Sequence, residues 1–494
     1  MQSQEINPSK PQDEHIVENK ELSIWEALIP VIALIGMLFY NVTFAYGDDA
    51  LSGSNQFILL LGAAVAAIVG HFNNVSFKQM MEEVAENVKS TTGAILILLM
   101  VGSLAGTWLI SGIIPTMIYY GLQILNPTIF LASCVIICAI ISIATGSSWT
   151  TSATVGIALI GIAGVLGISL GMTAGAVLSG AYFGDKLSPM SDTTNLAPAM
   201  AGTDLFTHIR YMLYTTTPTI LITLIVFIII GLNIEPQGVA DTSVILQDIK
   251  QSFNVSPWLF VVPVLVIILI VKKTPPLIAL MVGTLLGGIV ALIFQPTLVA
   301  NIGGGDTLDF STAYKGIMNV ITVDTSVATQ NEILKDLFTS GGMSGMLGTI
   351  WLIICAMVFG GVMDGIGALS RISKALLKLF HTTFGLFAST VASCLALNVT
   401  ASDQYLAIVV PGKMYSKAFK EKGLAPENLS RTLEDSGTVT SALVPWNTCG
   451  AYQSGVLGVS VADYFVYAIF NWLSPFTTLI FAAFKIKIKQ LTGK

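Results

Sequence analysis

Charged side chains are scarce in this sequence. They make up only 11% of its 494 residues, whereas hydrophobic residues make up 53% and the mean hydropathy is +0.77. Soluble domains carry about 25% charged residues, so this composition indicates a protein of the lipid bilayer. Apolar stretches long enough to cross a hydrocarbon core of roughly 30 Å recur from Ile24 to Phe481. No large soluble domain fits between them.

Several chemical signatures are also missing. The net charge of -6 is spread over tails and loops, and without a basic stripe nucleic acid is not expected as a partner. The sequence has no H-E-x-x-H, G-x-S-x-G or P-loop motif, so we expect neither an enzyme nor a cofactor. Without an ATP site, any transport by this protein would be driven by ion gradients. The cysteines lack C-x-x-C spacing and are predicted to be small buried hydrophobes. They are Cys134, Cys138, Cys355, Cys394 and Cys449.

The N-terminus lacks the basic region of a cleavable signal peptide. Residues 1–22 are polar and acidic, and we predict a disordered cytoplasmic tail there. The first apolar segment is then a retained span. Clear spans are predicted at Ile24 to Phe44, Phe57 to His71, Ala94 to Ser111, Thr128 to Ile143, Thr216 to Leu232, Trp258 to Val271, Leu277 to Phe294, Met346 to Met363, Phe384 to Leu397 and Tyr464 to Phe481.

The two halves of the chain resemble each other. Adding roughly 250 to 255 to a first-half position repeatedly reaches a similar feature, such as Asn447 from Asn195. Loops rich in Lys and Arg stay cytoplasmic, and this rule puts matching segments on opposite sides of the membrane. We therefore predict an all-α polytopic fold of two inverted-topology repeats with broken helices and re-entrant hairpins. The predicted divisions are the repeats 23–235 and 257–484, an external linker 236–256 and a basic cytoplasmic tail 485–494.

Four stretches at apparent membrane depth carry polar residues where a helix should be broken. A carboxylate there is costly and is by default a functional hypothesis. Hard cations such as sodium bind oxygen ligands, which broken helices supply as backbone carbonyls beside hydroxyl and amide groups. The predicted ion-coupling carboxylates are Asp185, Asp192, Asp403, Glu434 and Asp435. The predicted sodium ligands are Ser147, Ser148, Thr150, Asp192, Thr193, Thr194, Asn195, Ser402, Asp403, Thr438 and Asn447.

Structural interpretations of the same charges stay open. Lys186 could supply a fixed countercharge to its neighbour Asp185, and Arg431 could form an interfacial ion pair with Glu434. Asp192 has no adjacent base and is therefore the leading candidate. The four histidines lie in the tail or near span ends, where an interfacial role is expected.

The segments around these residues resemble the NhaC-type sodium/proton antiporters of the ion transporter superfamily. The resemblance rests on Ser179 to Asn195 (SGAYFGDKLSPMSDTTN), Ser430 to Thr438 (SRTLEDSGT) and Val444 to Gly450 (VPWNTCG). It implies exchange of sodium for protons across a bacterial inner membrane, with a role in pH homeostasis. It also implies paired hairpins and broken helices around a central site.

One branch of this family looks like malate/lactate antiporters that couple sodium and protons to a carboxylate. Such a substrate would favour a cationic pocket, and no arginine is expected deep in a span, so simple ion exchange is preferred. A channel is disfavoured because broken helices in inverted repeats suit alternating access. Stoichiometry, ion selectivity and the question of a homodimer stay open.

Overall fold

The computed structural model describes residues 22–46, 50, 53–234, 242–329, 332–378 and 382–491. Of the predicted N-terminal tail only Leu22 is among them, and it is buried. The last three residues of the predicted C-terminal tail also lie outside the described residues. The predictions for these segments are therefore untested.

The first half of the chain is helical. Its α-helices are α1 (Ile24–Tyr40), α2 (Ser54–Phe72), α3 (Phe77–Ser90), α4 (Thr92–Ile110), α5 (Ile113–Ile124), α6 (Phe130–Thr145), α7 (Ser148–Thr151), α8 (Ile157–Leu166), α9 (Leu170–Leu187), α10 (Asp192–Ala201) and α11 (Leu205–Asn233). Asn41–Tyr46 and Ser152–Gly156 are π-helical, and Pro127–Ile129 is a 3-10 turn.

The second half has the same character. Its α-helices are α12 (Thr242–Ser252), α13 (Val261–Val271), α14 (Pro276–Phe294), α15 (Pro296–Ile302), α16 (Phe310–Thr322), α17 (Glu332–Leu337), α18 (Leu347–Gly365), α19 (Ala368–Lys378), α20 (Thr383–Thr400), α21 (Gln404–Glu421), α22 (Pro426–Leu433), α23 (Thr448–Leu457), α24 (Val461–Phe465) and α25 (Ile469–Ala483). Pro257–Phe260, Ser344–Met346 and Ser441–Leu443 are 3-10 turns, and Glu434–Thr438 is π-helical. Strands β1 (Thr325–Ser326) and β2 (Thr339–Ser340) form one antiparallel pair.

Nine helices within the described residues are long and apolar enough to cross a membrane, or ten if one bent pair counts as a span. The predicted all-α, multi-pass fold is therefore confirmed, with the short β1–β2 pair as an exception. Three details differ from prediction. α11 begins well before Thr216, the predicted last span is divided between α24 and α25, and the predicted linker contains α12. The cysteines are all buried and free.

The backbone breaks recur between the halves. Left-handed residues at three of the helix ends in the first half each have a counterpart in the second half, separated from it by the same number of residues. The pairs are Gly146 with Ser402, Gly167 with Gly423 and Gly202 with Gly458. The helix caps Ser147 and Asp403, and Ser191 and Asn447, keep the same separation. The cap match aligns Asn447 with Ser191 rather than with Asn195. Inversion of one half relative to the other remains a prediction.

Two long helices pack mainly on the opposite half. In the first half, α4 lies against α14 and α16, and the indole of Trp108 donates to the carbonyl of Gly283 at 3.3 Å. In the second half, α18 lies against α2 and α3. Other helices also cross between the halves, since α10 packs on α21 and α22 and α25 packs on α9 and α11, whereas α6 packs on α9 and α20 on α21 within their own halves. The two halves are thus interlocked by an exchanged pair of spans.

Small residues bring α6 and α9 together. A Cβ added to Gly180 would lie 2.2 Å from the carbonyl oxygen of Val135, and one added to Gly184 would lie 2.4 Å from that of Ala139. Ser142 also donates to the carbonyl of Ala181 at 2.6 Å. Small residues allow this close approach of helices in membranes, where apolar side chains gain little by leaving lipid. The contact fixes the end of α9, where the polar residues begin.

We expect Gly180→Ala to lower the stability of the purified protein by about 1–3 kcal/mol, because the methyl group must push α6 away from α9. Thermal unfolding in detergent measures the loss. Gly164→Ala is the matched control, since a Cβ there meets its nearest atom at an ordinary 3.8 Å. Equal melting of the two variants would show that α6 and α9 can separate without cost.

Candidate ion-exchange site

In the first half, two broken helices touch at their breaks. α6 ends at Gly146, which is left-handed at φ 70°, and Ser147 begins α7 by accepting from the amide of Thr150 at 3.2 Å. A Cβ on Gly146 would lie 2.6 Å from the Cβ of Met190 and 3.0 Å from the amide nitrogen of Ser191. Only glycine permits both the backbone angle and this approach. The break after α6 therefore lies directly on the break between α9 and α10.

The second half repeats this contact. Asp403 begins α21 by accepting from the amides of Tyr405 and Leu406 at 2.8 and 3.0 Å. Asn447 begins α23, and the amide of Thr448 donates to the carbonyl of Ser402 at 2.9 Å. Asp403, Asn447 and Ser402 are all buried. Their polar groups thus mainly form helix caps and join the two breaks.

Glu434 lies fully buried where the two halves meet. Its carboxylate accepts from the hydroxyl of Thr193 at 2.9 Å and from that of Thr438 at 2.7 Å. Thr193 belongs to α10 of the first half, whereas Thr438 ends the π-helical turn that Glu434 begins. Single π-helical turns are frequent at functional sites and leave carbonyl groups without their usual partners. Among the described residues, no basic side chain forms an ion pair with Glu434.

Asp185 and Asp403 are also buried carboxylates without a recorded ion-pair partner in the described part of the chain. Asp185 accepts from the amide and the hydroxyl of Ser148 at 3.1 and 2.7 Å. The hydroxyl of Thr194 donates to its main-chain carbonyl at 3.2 Å. Asp185 therefore joins the end of α9 to the start of α7. The next helix along the chain, α10, carries Thr193.

Lys186 pairs with Asp435, and not with its neighbour Asp185. Both side chains of the pair are completely buried. Asp435 also accepts from the hydroxyls of Thr215, at 2.9 Å, and Thr478. The ammonium of Lys186 lies 5.5 Å from the centre of the Phe470 ring. A lysine of one half thus neutralises a carboxylate of the other, and this carboxylate is already well satisfied.

Two predicted residues lie elsewhere. Asp192 is the first residue of α10 and is exposed, as is Asn195. The amide of Asn195 donates to the carbonyls of Pro189 and Ser191, at 3.0 and 2.7 Å, so it stabilises the break between α9 and α10. Thr150 is buried beside Ser147 on the opposing break. The leading sequence candidate is therefore more open than the carboxylates around it.

Sequence analysis missed one buried charge. Arg431 is completely buried, although α22, which carries it, is not among the helices long enough to span a membrane. Its guanidinium lies 4.5 Å from the centre of the Tyr211 ring, and its nitrogens have no hydrogen-bond partner in the described residues. His208 is also buried, with Nδ1 2.8 Å from the hydroxyl of Ser430, and not interfacial as expected. The spacing of Arg431 and Asp435, four residues apart, could have placed both on one helix face.

Broken helices that meet in two recurring halves, with ionisable groups buried at the junction, define a secondary active transporter. The profile of the Na+/H+ antiporter family matches residues 180–486. The chain belongs to this family, as the sequence resemblance predicted.

Its relatives cover nearly the whole chain. The Na(+)/H(+) antiporter NhaC of Alkalihalophilus pseudofirmus is 37% identical over 86% of this chain and 88% of its own length. An uncharacterized Na(+)/H(+) antiporter of Haemophilus influenzae is 36% identical over 94% of this chain and 97% of its own. The Malate-2H(+)/Na(+)-lactate antiporter of Bacillus subtilis is 36% identical over 85% and 86%, respectively. This chain is therefore a multi-pass membrane transporter.

Proposed function

We propose that this chain exchanges sodium for protons across the bacterial cell membrane, and that the two cations compete for Glu434. The observation that carries the proposal is the carboxylate of Glu434, which is buried between the halves and forms no ion pair with a basic side chain among the described residues. An ionised carboxylate in such a place costs several kcal/mol unless a cation or a proton compensates it. Sodium and proton are thus alternatives at one group, which is the requirement for exchange.

The surroundings of Glu434 suit sodium as the transported ion. The hydroxyl oxygens of Thr193 and Thr438 already lie within hydrogen-bond distance of its carboxylate. Hard cations take such oxygen ligands. If these hydroxyl groups rotate, their O–H bonds point away from the carboxylate and their lone pairs point toward the position beside it. A sodium ion can then bind there to the two hydroxyl oxygens and the carboxylate. Asp185 with Ser148 supplies a second cluster of buried oxygen atoms.

The remaining predicted residues fit supporting roles. Asp435 is neutralised by Lys186, so we assign the pair to holding the halves together rather than to carrying the proton. The caps formed by Ser147, Asp403 and Asn447 fix where the helices break. Asp192, exposed at the first turn of α10, is placed to attract cations toward Thr193.

A sodium- and proton-coupled malate/lactate antiporter is the second candidate. The relative from Bacillus subtilis bears that name. The buried, unpartnered guanidinium of Arg431 favours it, because arginine binds carboxylates in a bidentate manner. The close packing of Arg431 on Tyr211 leaves simple ion exchange as the preferred function.

Proteoliposomes with an internal pH dye distinguish the two. External sodium alone should drive proton efflux in the absence of any carboxylate, and adding malate or lactate should not change the rate. Liposomes without protein measure the rate at which protons cross the lipid bilayer passively. Proton movement that requires the carboxylate would overturn simple exchange and establish the second candidate.

We expect Thr193→Val to raise the KM for sodium by about tenfold or more. A hydrogen bond or ligand to a charged group contributes about 1.5–3 kcal/mol, and valine keeps the shape without the oxygen. Sodium-driven proton flux, measured over a range of sodium concentrations, checks this. Thr193→Ser is the matched control and should keep a KM near that of the wild type. If valine and serine gave equal KM values, Thr193 would not contact sodium.

A further inference from the structure

An open cavity of about 460 Å³ lies where α11 begins and where the chain folds back after α25. Basic and aromatic side chains dominate its lining, and no carboxylate takes part in it. The lining residues are Thr207, Arg210, Tyr211, Tyr214, Lys487, Ile488 and Lys489. The cavity is separate from the Glu434 cluster and has no part in the exchange proposed above.

The fold-back of the C-terminal segment is specific. The hydroxyl of Tyr211 donates to the carbonyl of Lys487 and accepts from the amide of Lys489 at 3.1 Å. The carbonyl of Lys489 accepts from the amide of Ala425 at 3.0 Å. Lys485 and Lys487 are left-handed, at φ 54° and 47°, a conformation uncommon outside glycine. These bonds hold a strained basic segment against α11.

The charge balance at the cavity is positive. Arg210 and Lys487 are exposed, and the ammonium of Lys487 lies 5.0 Å from the centre of the Tyr214 ring. Lys489 pairs with Glu427, and this hydrogen bond raises the pKa of Lys489, which stays protonated. The nearby acid Asp204 accepts from Thr207, which lowers the pKa of Asp204. Three bases therefore face two acids, so the net charge is positive, and Arg210 and Lys487 are the bases without an ion-pair partner among the described residues.

Two exposed aromatic residues lie next to this charged cleft in the sequence. Phe206 is 61% exposed at the start of α11, and Phe484 is 74% exposed just after α25. Aromatic residues at the ends of spans lie at the level of the lipid headgroups. A ligand that contacts both the basic cleft and these aromatic side chains has an anionic headgroup and acyl chains. A soluble anion would contact only the basic side chains.

We infer that this cleft binds the headgroup of an anionic phospholipid, with the phosphate between Arg210 and Lys487 and the acyl chains along Phe206 and Phe484. Basic pockets between spans on the cytoplasmic side are suited to such headgroups. The abundance of Lys and Arg near this end predicts that it faces the cytoplasm. The lipid would then join the start of α11 to the C-terminal segment.

Native mass spectrometry of the detergent-purified protein, titrated with phosphatidylglycerol or with phosphatidylcholine, tests the inference. The wild type should retain phosphatidylglycerol in preference to phosphatidylcholine. A base near the headgroup is worth about fivefold in affinity, so Arg210→Gln/Lys487→Gln should weaken phosphatidylglycerol binding by roughly 25-fold. The control Lys78→Gln/Lys89→Gln removes two exposed bases of α3 and should leave binding unchanged.

Equal binding of the two lipids, or equal loss in the control, would overturn the inference. Displacement of the lipid by inorganic phosphate at millimolar concentration would also overturn it and identify a site for a soluble anion. Gel filtration and sodium-driven proton flux of the same variants report on their folding. If the double variant aggregated, the single Lys487→Gln variant should still show about a fivefold loss.

Discussion

Glu434→Gln should abolish sodium-driven proton flux, by at least a hundredfold. Glutamine keeps the size of the side chain and one of the two oxygens that accept from Thr193 and Thr438, and its NH2 group can donate to the other hydroxyl, so the fold should survive. It has neither a proton to release nor a charge to bind sodium. Two readouts check the prediction: proton flux in proteoliposomes, and the rise in melting temperature on adding sodium, since a bound ligand stabilises the folded state. Both should be lost together.

Glu421→Gln provides the control for this experiment. Glu421 is an exposed carboxylate at the end of α21, where it pairs with Lys417. Its loss should leave both readouts at wild-type values. Sodium-driven flux through the Glu434→Gln variant at the normal rate would refute the role of Glu434. The analogous Asp185→Asn variant would then decide whether the carboxylate of Asp185 carries the exchange.

Lys186→Met should destabilise the protein by about 3–5 kcal/mol. The substitution removes the only ion-pair partner recorded for Asp435 among the described residues and leaves a completely buried carboxylate uncompensated. Thermal unfolding in detergent, followed by gel filtration, measures the loss. The expected result is a much lower melting temperature or no monodisperse protein at all.

The double variant Lys186→Met/Asp435→Asn tests the cause. Replacing both members of a buried pair by neutral groups is often neutral or even stabilising. Asparagine retains an oxygen for the hydroxyls of Thr215 and Thr478. Most of the stability should therefore return, and so should transport if the pair only holds the halves together. A stable double variant without transport would instead show that this pair takes part in exchange.

Hydropathy was sufficient for the membrane class and for most spans, because a bilayer imposes the same length and polarity on every span. It could not reveal which buried groups meet. Lys186 lies beside Asp185 in the sequence, yet its partner is 249 residues away, and only the packing of α9 on the second half brings them together. The local sequence alone predicts that Lys186 pairs with its neighbour Asp185.

The structure ranks the carboxylates differently from the sequence for a related reason. Asp192 stands among hydroxyl residues without a base, and it was therefore preferred over Glu434, which has Arg431 on the same helix. In the structure the helix turns Asp192 outward and Thr193 inward toward Glu434. Adjacent residues on a helix point about 100° apart, so the break that begins α10 decides which of them enters the site. Sequence places that break only within several residues.

The exchange of α4 and α18 has a consequence for how the chain is assembled. Each of these spans finds most of its neighbours in the half to which it does not belong. When only the first half has been synthesised, α4 is already in the membrane but the helices on which it packs, α14 and α16, have not yet been made. The halves therefore resemble two subunits of a dimer that each contribute a helix to the other, although they belong to one polypeptide. Neither half can reach its final packing until the other is in the membrane.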